Sequence, residues 1–222
     1  MAGSCEGWRY REEDIQVLTE LEQIRLRPAM YLGGTDTRSL HHMLFELVRG
    51  SLEEVALGHG NSVRVTLHED GSAEVADDRV PPTEVEFTFA RPGTGGHNDL
   101  SYAIANALSA KLSVTARSPG SRYYHSFRRG VTHAVLQSGG PDDDRGLTVR
   151  FRPDPDIFGT ARFDSTTIRD RLRQYAFLHS GVRITFSDEA ADTLDEFEYA
   201  DGRADDAQHD GHDKTHRLLS GV

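Results

Sequence analysis

The sequence predicts an α+β fold, because helical and alternating apolar patterns occupy different stretches of the chain. Residues 12–27 place apolar side chains near helical spacing, and Pro28 ends that run. After an expected loop at 30–38, Ser39 is the predicted cap of a second helix that carries a long apolar stripe. Residues 62–77 alternate by twos about a Glu-Asp-Gly turn, which is typical of a β-hairpin. Helices and antiparallel strands are therefore segregated, as in α+β domains.

The second half of the chain continues both patterns. Alternating runs that predict strands occupy 111–117, 122–137, 146–154 and 182–188. Helical spacing occurs at 104–110 and 167–180. One large domain accounts for these elements.

Composition and charge exclude several classes of function. The 222 residues are 36% hydrophobic and carry a formal net charge of −11, which opposes binding to nucleic-acid phosphates. Cys5 is the only cysteine, no apolar run is long enough for a membrane span, and the first residues lack the apolar stretch of a signal peptide. We therefore expect a cytoplasmic protein that binds neither DNA nor membranes.

The chain divides into three predicted regions. Residues 1–12 form an N-terminal arm, 13–202 the folded domain, and 203–222 a polar tail that is expected to be disordered because it is poor in core-forming residues. No metal site and no cofactor is predicted.

Three segments of the sequence resemble a known protein family. They are IQVLTELEQIRLRPAMYLGG, LHHMLFELVRGSLEEVALGH and VRVTLHEDGSAEVADD. Together they resemble the ATPase domain of gyrase B and of its topoisomerase IV relative, within the GHKL superfamily, and the match continues over roughly residues 10–202. The resemblance implies a mixed, mostly antiparallel sheet with helices on one face and a nucleotide pocket between them. It also implies that the family's transducer, toprim and DNA-cleaving parts are absent from this chain.

The first family motif departs from its usual form. The family has FE-x-x-DNA-x-DE, in which the glutamate is the general base and the asparagine binds magnesium. By resemblance Glu46 is the base, whereas Arg49 replaces the aspartate and Gly50 replaces the asparagine. Since a hard cation needs oxygen ligands, the magnesium ligand is predicted to be missing. His42 lies one helical turn before Glu46 and is expected to form a hydrogen-bonded pair with it.

Two further motifs are altered. In DDRVPP, Asp77 matches the family's adenine-binding aspartate, and Arg79 begins a segment that replaces flexible glycines. In GGHNDLS, Asp99 and Ser101 replace the last two glycines of a phosphate-binding loop, and the loop's lid is shortened. Leu147 replaces a pocket threonine and makes the predicted pocket more apolar.

The resemblance thus implies a retained fold with altered nucleotide chemistry. Glu46 and His42 are the candidate catalytic residues. The candidate ligand-binding residues are Asp77, Arg79, Arg117, Leu147, Gly50 and Asn98. Arg117 is included because aminocoumarins bind this family at the adenine aspartate and at an arginine on the neighbouring strand.

Three functions remain open at this point. The first is a binding module that holds a flat organic molecule, such as a metabolite or a gyrase inhibitor, without hydrolysing ATP. The second is an enzyme of natural-product biosynthesis that uses Glu46, His42 and Asp77 for acid–base or cyclisation chemistry. The third is a gyrase-related regulator that still binds ATP. In the family the N-terminal arm, here with Trp8 and Tyr10, crosses to a second copy of the chain, so homodimerisation through residues 1–12 is a further expectation.

Overall fold

The computed structural model describes residues 18–79, 99–139 and 145–199. The helices are α1 (Glu20–Leu26), α2 (Pro28–Leu32), α3 (Thr37–Ala56), α4 (Asp99–Ala107), α5 (Pro155–Phe158) and α6 (Ser165–Leu178). The strands are β1 (Ser62–Leu67), β2 (Ala73–Asp77), β3 (Ser109–Ser118), β4 (Ser121–Arg128), β5 (Val131–Gly139), β6 (Gly146–Pro153), β7 (Arg183–Asp188) and β8 (Thr193–Glu198). The predicted α+β class is confirmed.

The described strands form one eight-stranded sheet in the order β5-β4-β3-β6-β2-β1-β7-β8. Every neighbouring pair is antiparallel except β1 and β7, in which Val65 lies beside Phe186 in parallel register. The predicted hairpin at 62–77 is confirmed as β1 and β2, with Val65 opposite Val75. The sheet is therefore mixed and mostly antiparallel, as the resemblance implies.

The long helix α3 packs on the centre of this sheet, against β1 and β2. Its N-terminal cap is Asp36, whose carboxylate accepts a hydrogen bond from the Ser39 backbone N–H at 2.9 Å. The prediction that Ser39 caps this helix is wrong, because the aspartate three residues earlier takes that role. Helix α4 packs on β3, and α6 packs on β7 and β8.

Residues 28–32, expected to be the end of a helix and part of a loop, form the short helix α2. The backbone N–H of the first residue of a helix has no partner within the helix, so proline, which lacks this N–H, is tolerated there. Pro28 therefore begins α2 as well as following α1. Gly33 ends α2 with φ of 77°, a left-handed conformation that favours glycine.

The core lies between the helices and the face of the sheet that they cover. The largest fully buried side chains are Phe127, Phe151, Phe186, Ile24, Leu40, Met43, Leu44, Leu47, Leu52, Leu108 and Leu112. Among the described residues, no helix combines the length and the apolar character that a membrane crossing requires. The arm at 1–12, with Trp8 and Tyr10, and the tail at 203–222 lie outside the described residues.

Candidate functional site

Helix α3 presents a line of charged side chains along one edge. Arg49 lies one turn after Glu46 and one turn before Glu53, so it reaches both carboxylates. Its guanidinium nitrogens lie 2.5 Å from a Glu46 oxygen and 2.5 Å from a Glu53 oxygen. The hydroxyl of Ser101 on α4 donates a further hydrogen bond to Glu46 at 3.1 Å. Glu46 is thus held by an arginine of its own helix and by a serine of the neighbouring one.

Gly50, which the resemblance aligns with the family's magnesium ligand, is buried in the interior of α3. Glycine offers no side-chain oxygen, and the residue beside it is the cation Arg49, already paired with Glu46. A magnesium ion requires oxygen ligands in octahedral geometry. The residues present at this point of α3 therefore do not fit magnesium.

Asp77 ends β2 and is buried, with only 1% of its side chain exposed. The Ser51 hydroxyl donates a hydrogen bond to its Oδ2 at 2.6 Å, and the Arg79 backbone N–H donates to its Oδ1 at 3.3 Å. Gly146, at the start of β6, packs directly on this strand end. A Cβ at Gly146 would collide with the Asp77 carbonyl oxygen, and the φ of 143° at Gly146 also favours glycine. The close approach of the two strands fixes where Asp77 lies.

Arg79 folds back over Asp77 and is itself buried, at 6% side-chain exposure. Its Nε lies 3.0 Å from Asp77 Oδ1, at an angle that makes the contact an ion pair rather than a hydrogen bond. A second guanidinium nitrogen donates to the Tyr102 hydroxyl at 2.7 Å, and a third lies 3.7 Å from a Glu54 oxygen. We call Ser51, Glu54, Asp77, Arg79 and Tyr102 the buried polar cluster.

The two carboxylates differ in their electrostatics. Burial raises the pKa of Asp77, and the nearby Arg79 charge and the Ser51 hydrogen bond only partly offset that rise. For Glu46, burial also acts to raise the pKa, but hydrogen bonds from Arg49 and Ser101 together with the Arg49 charge outweigh it, and the pKa is lowered. Burial alone would lower the pKa of Arg79, yet Tyr102 and Asp77 raise it. Arg79 is therefore a permanent buried cation.

Helix α4 connects the two groups, because Ser101 contacts Glu46 and the next residue, Tyr102, contacts Arg79. The predicted site residues Glu46, Gly50, Asp77 and Arg79 are therefore brought together between α3, α4 and β2. Leu147 adjoins them, since it lies opposite Asp77 in the β2–β6 register and is buried.

Three other predicted residues have different surroundings. His42 is exposed one turn before Glu46 and contributes only its charge to the lowered pKa of Glu46. The hydrogen bonds of Glu46 within the described residues come from Arg49 and Ser101, not from His42. Arg117 alternates with the buried Ala116, which lies opposite Leu147, so Arg117 belongs to the other face of the sheet. Asn98 lies outside the described residues.

Sequence reasoning did not identify Ser51, Glu54 and Tyr102 as site residues. Ser51 is buried one turn after Leu47 on the apolar stripe of α3, and a hydroxyl on such a stripe requires a buried partner. That signal was available in the sequence. The contact of Tyr102 with Arg79 depends on how α4 packs on α3, which local patterns do not specify.

In this arrangement the carboxylates of Glu46 and Asp77 form ion pairs with arginines of the same chain instead of standing free for acid–base chemistry. Among the residues that the structure describes, no group of three or more His, Cys, Asp or Glu side chains is arranged to hold a metal ion. Both oxygens of the Asp77 carboxylate already accept hydrogen bonds from the protein, so an adenine amino group would have to compete with Ser51 and Arg79.

Comparisons with known proteins agree on one group of relatives. The chain is 37% identical over 219 residues to the DNA gyrase B protein of Haloferax volcanii, covering 87% of this chain and 34% of that protein. It is 38% identical over 202 residues to the DNA gyrase B protein of Thermotoga maritima, covering 81% and 32%. It is 36% identical over 215 residues to the DNA topoisomerase 4 B protein of Bacillus subtilis, covering 87% and 33%. The chain thus spans about a third of the length of these relatives.

Among solved structures, the 43K ATPase domain of Thermus thermophilus gyrase B, in complex with an aminocoumarin, is similar to this fold. The TM-score is 0.75 at 33% sequence identity, covering 81% of this chain and 51% of that one. No protein-family model matches the chain.

Proposed function

Since the chain belongs to the DNA gyrase B and topoisomerase IV B family and has the fold of its ATPase domain, we propose that it is a binding module that does not hydrolyse ATP. It holds a small, flat organic molecule in the region where the family binds its nucleotide. The observation that carries this proposal is that both carboxylates expected to serve ATP, Glu46 and Asp77, are held in ion pairs by arginines of the same chain.

The pairing of Glu46 argues against hydrolysis. A general base must accept a proton from water, and a carboxylate whose pKa is lowered by an adjacent guanidinium accepts it less readily. Arg49 also places a positive charge next to the helix position that would need a magnesium ligand. The same arginine therefore weakens the general base and repels the metal ion that the family's reaction requires.

The pairing of Asp77 argues against adenine recognition. A ligand that donates to Asp77 must displace the Ser51 hydroxyl or the Arg79 contacts, and leaving a buried charge without its partner costs several kcal/mol, about 3–5. An adenine amino group returns only about 1–3 kcal/mol through a hydrogen bond to a carboxylate. Because the cost is larger than the gain, binding of the ATP adenine to Asp77 is disfavoured.

The class of ligand is inferred from the side chains that remain exposed beside the buried polar cluster and from the solved structure of the Thermus thermophilus domain. Glu46 and Arg49 keep 27% and 42% of their side chains exposed, so they can contact a ligand at the rim of the buried polar cluster. The Thermus thermophilus domain is described in complex with an aminocoumarin, a molecule with a flat ring system. A flat ring with a few polar substituents is the ligand that suits such a rim.

An enzyme of natural-product biosynthesis using the same residues is the alternative. The lowered pKa of Glu46 keeps this carboxylate ionised at neutral pH, so Glu46 cannot serve as a general acid there. The alternative therefore depends on Glu46 acting as a weak base.

Hydrolysis is tested by measuring phosphate release with magnesium and ATP. The wild type is expected to match the Glu46→Ala variant, because no group in the described site supports the reaction. The double variant Arg49→Asp with Gly50→Asn restores the family's residues and tests the two positions directly. Magnesium-dependent release by the wild type above that of Glu46→Ala would contradict the proposal.

Ligand binding is tested by isothermal titration with an aminocoumarin. Binding is expected in the wild type and is expected to change modestly in Glu46→Gln, while the exposed Glu20→Gln serves as the matched control on α1. Mass spectrometry of the purified protein would identify a natural ligand that remains bound. If neither method detects a small molecule, the binding-module proposal is wrong; if Glu46→Gln binds normally but abolishes a chemical conversion of the ligand, the enzyme alternative replaces it.

A further inference from the structure

A second group of polar residues lies on the face of the sheet that the helices of the described ranges do not cover, which we call the open face. On β3, Lys111 is exposed whereas the next residue, Leu112, is buried in the core. Because successive side chains of a strand point to opposite faces, Lys111 belongs to the open face. The open face is opposite to the one that carries Asp77 and Leu147.

Three cationic side chains meet there on adjacent strands. Lys111 on β3 lies opposite Arg152 on β6. On the other side of β3, Leu112 lies opposite Phe127 on β4, so the exposed Arg128 follows at the same level as Lys111. Neighbouring strands are about 4.8 Å apart, so these charges are close enough to repel one another.

These residues line a groove of about 320 Å³, which we call the cationic groove. Its charged lining consists of Lys111, Arg128, Arg150, Arg152 and one carboxylate, Asp70, in addition to His133. Asp70 already pairs with Arg150 at 3.3 Å, and hydrogen bonds from Ser72, followed by the Arg150 charge, hold the pKa of Asp70 at about 2. Asp70 is therefore ionised, and the ion pair it forms is with Arg150 rather than with one of the other three cations.

Lys111, Arg128 and Arg152 have no ion pair or side-chain hydrogen bond within the described residues. The contrast with the neighbouring Arg129 is informative, because that residue pairs with both Asp154 and Asp156. Within the described residues, Arg129 beside the groove therefore has carboxylate partners, and Arg150 inside it has Asp70, whereas Lys111, Arg128 and Arg152 have none.

We propose that the cationic groove binds a small molecule that bears two or more phosphate or carboxylate groups. Arginine and lysine bind such oxyanions through charge-assisted hydrogen bonds, and three cations can contact more than one anionic group at once. Ser113 and Ser126 add hydroxyl donors to the lining, and the Tyr124 ring supplies an apolar surface. The volume suits a compact metabolite, near the lower limit of known ligand pockets.

The overall charge favours a small anion over a nucleic acid. The chain carries −11 in total, so a long polyanion is repelled by most of the surface even if the cationic groove attracts it locally. A compact anion contacts only the groove. This site lies on the opposite face from the buried polar cluster, so the inference does not depend on the proposed function.

Isothermal titration with pyrophosphate and with citrate tests the inference on the full chain. The wild type is expected to bind at least one of them, more weakly as salt is added because exposed charges are screened. Lys111→Ala and Arg152→Ala are each expected to weaken binding about tenfold or more, as for the loss of a hydrogen bond to a charged group. Arg64→Ala is the matched control, since Arg64 is exposed on β1 on the same face, away from the groove.

The possible outcomes separate the alternatives. Binding that survives in Lys111→Ala and Arg152→Ala would place the anion elsewhere, including the nucleotide region, and would overturn the inference. The absence of binding by both probes would overturn it as well. Tighter binding of a short DNA duplex, lost in the same two variants, would assign the groove to nucleic acid instead. Because all three substituted residues are exposed, circular dichroism is expected to confirm that each variant folds.

Discussion

Arg79 supplies the positive charge of the buried polar cluster. It is a cation buried beside a carboxylate, with a tyrosine hydroxyl as its second partner. Such a pair gains little over an apolar core of the same shape, but it becomes costly once a single partner is removed. The consequence is that Arg79 should be far more sensitive to substitution than its position just after the end of β2 suggests.

The first prediction is that Arg79→Leu lowers the free energy of unfolding by about 3–5 kcal/mol, because Asp77 stays buried without its counter-charge. Urea denaturation followed by circular dichroism measures the change. Arg183→Leu is the control, since Arg183 pairs with Glu198 on the exposed surface and should have a much smaller effect. Equal losses in the two variants would show that the Asp77–Arg79 pair has no special role.

The second prediction concerns His41, whose Nε2 accepts a hydrogen bond from the Asp164 backbone N–H at 2.8 Å. Burial lowers the pKa of His41 below its ordinary value of 6.5, with Asp164 and Asp36 opposing that shift. The unfolded chain therefore takes up the proton first as pH falls. The stabilisation is complete above about pH 6.5 and is lost as pH falls below it.

Urea denaturation of the wild type and of His41→Gln between about pH 7 and pH 5 tests this prediction. The glutamine oxygen can still accept the Asp164 N–H but does not titrate in this range. We expect the wild type to lose more stability than the variant as the solution is acidified. Parallel curves would mean that His41 does not contribute to the pH dependence.

At the scale of elements, α1 is attached to the domain through the buried Ile24 and through Arg25. Its guanidinium donates to the Ala107 carbonyl at the end of α4 and to Asp154 at 2.7 Å. Asp154 is fully buried and also caps α5. A seven-residue helix is too short to be stable alone, so these contacts and the burial of Ile24 must hold it.

The third prediction is that Arg25→Ala reduces the free energy of unfolding by about 1–3 kcal/mol through the loss of these hydrogen bonds. Amide hydrogen exchange should show faster exchange in α1 than in α3 of the same variant. Arg27→Ala is the control, because the Arg27 side chain is exposed and has no partner within the described residues. Identical exchange in the two variants would contradict this account of α1.

Most elements could be predicted from the sequence, because their signals are local. Alternation identified the β1–β2 hairpin, and helical spacing identified α3 and α6. Strand β8, TLDEFE, was not predicted because its acidic residues weaken the alternation, and it is stabilised by pairing with β7. The face on which Arg117 lies required the register between β3 and β6, and the contacts of Arg79 required the packing of α4. Tertiary packing decides such contacts, so the composition of the site was predictable only in part.

At the scale of the whole molecule, the formal charge of −11 sets the long-range field. The fourth prediction is that the purified chain does not retain duplex DNA in a gel-shift assay at low salt, because the net field repels phosphates. The Lys111→Ala, Arg152→Ala double variant is the informative control. Retention of DNA by the wild type that disappears in this variant would show that a local patch outweighs the net charge.

The parallel pairing of β1 with β7 has a consequence for how the chain is made. Leu67 ends β1 and Asp188 ends β7, its partner in the sheet, so the end of β7 is made 121 residues after the end of β1 (188 − 67). A ribosome adds about 5–20 residues per second, which leaves β1 without this neighbour for roughly 6–24 s after its own synthesis. During that interval the β1 edge of the β1–β2 hairpin has no strand partner, and the β2 edge has none until β6 is made. The nascent chain is therefore most exposed to chaperones and to misassociation before β7 emerges.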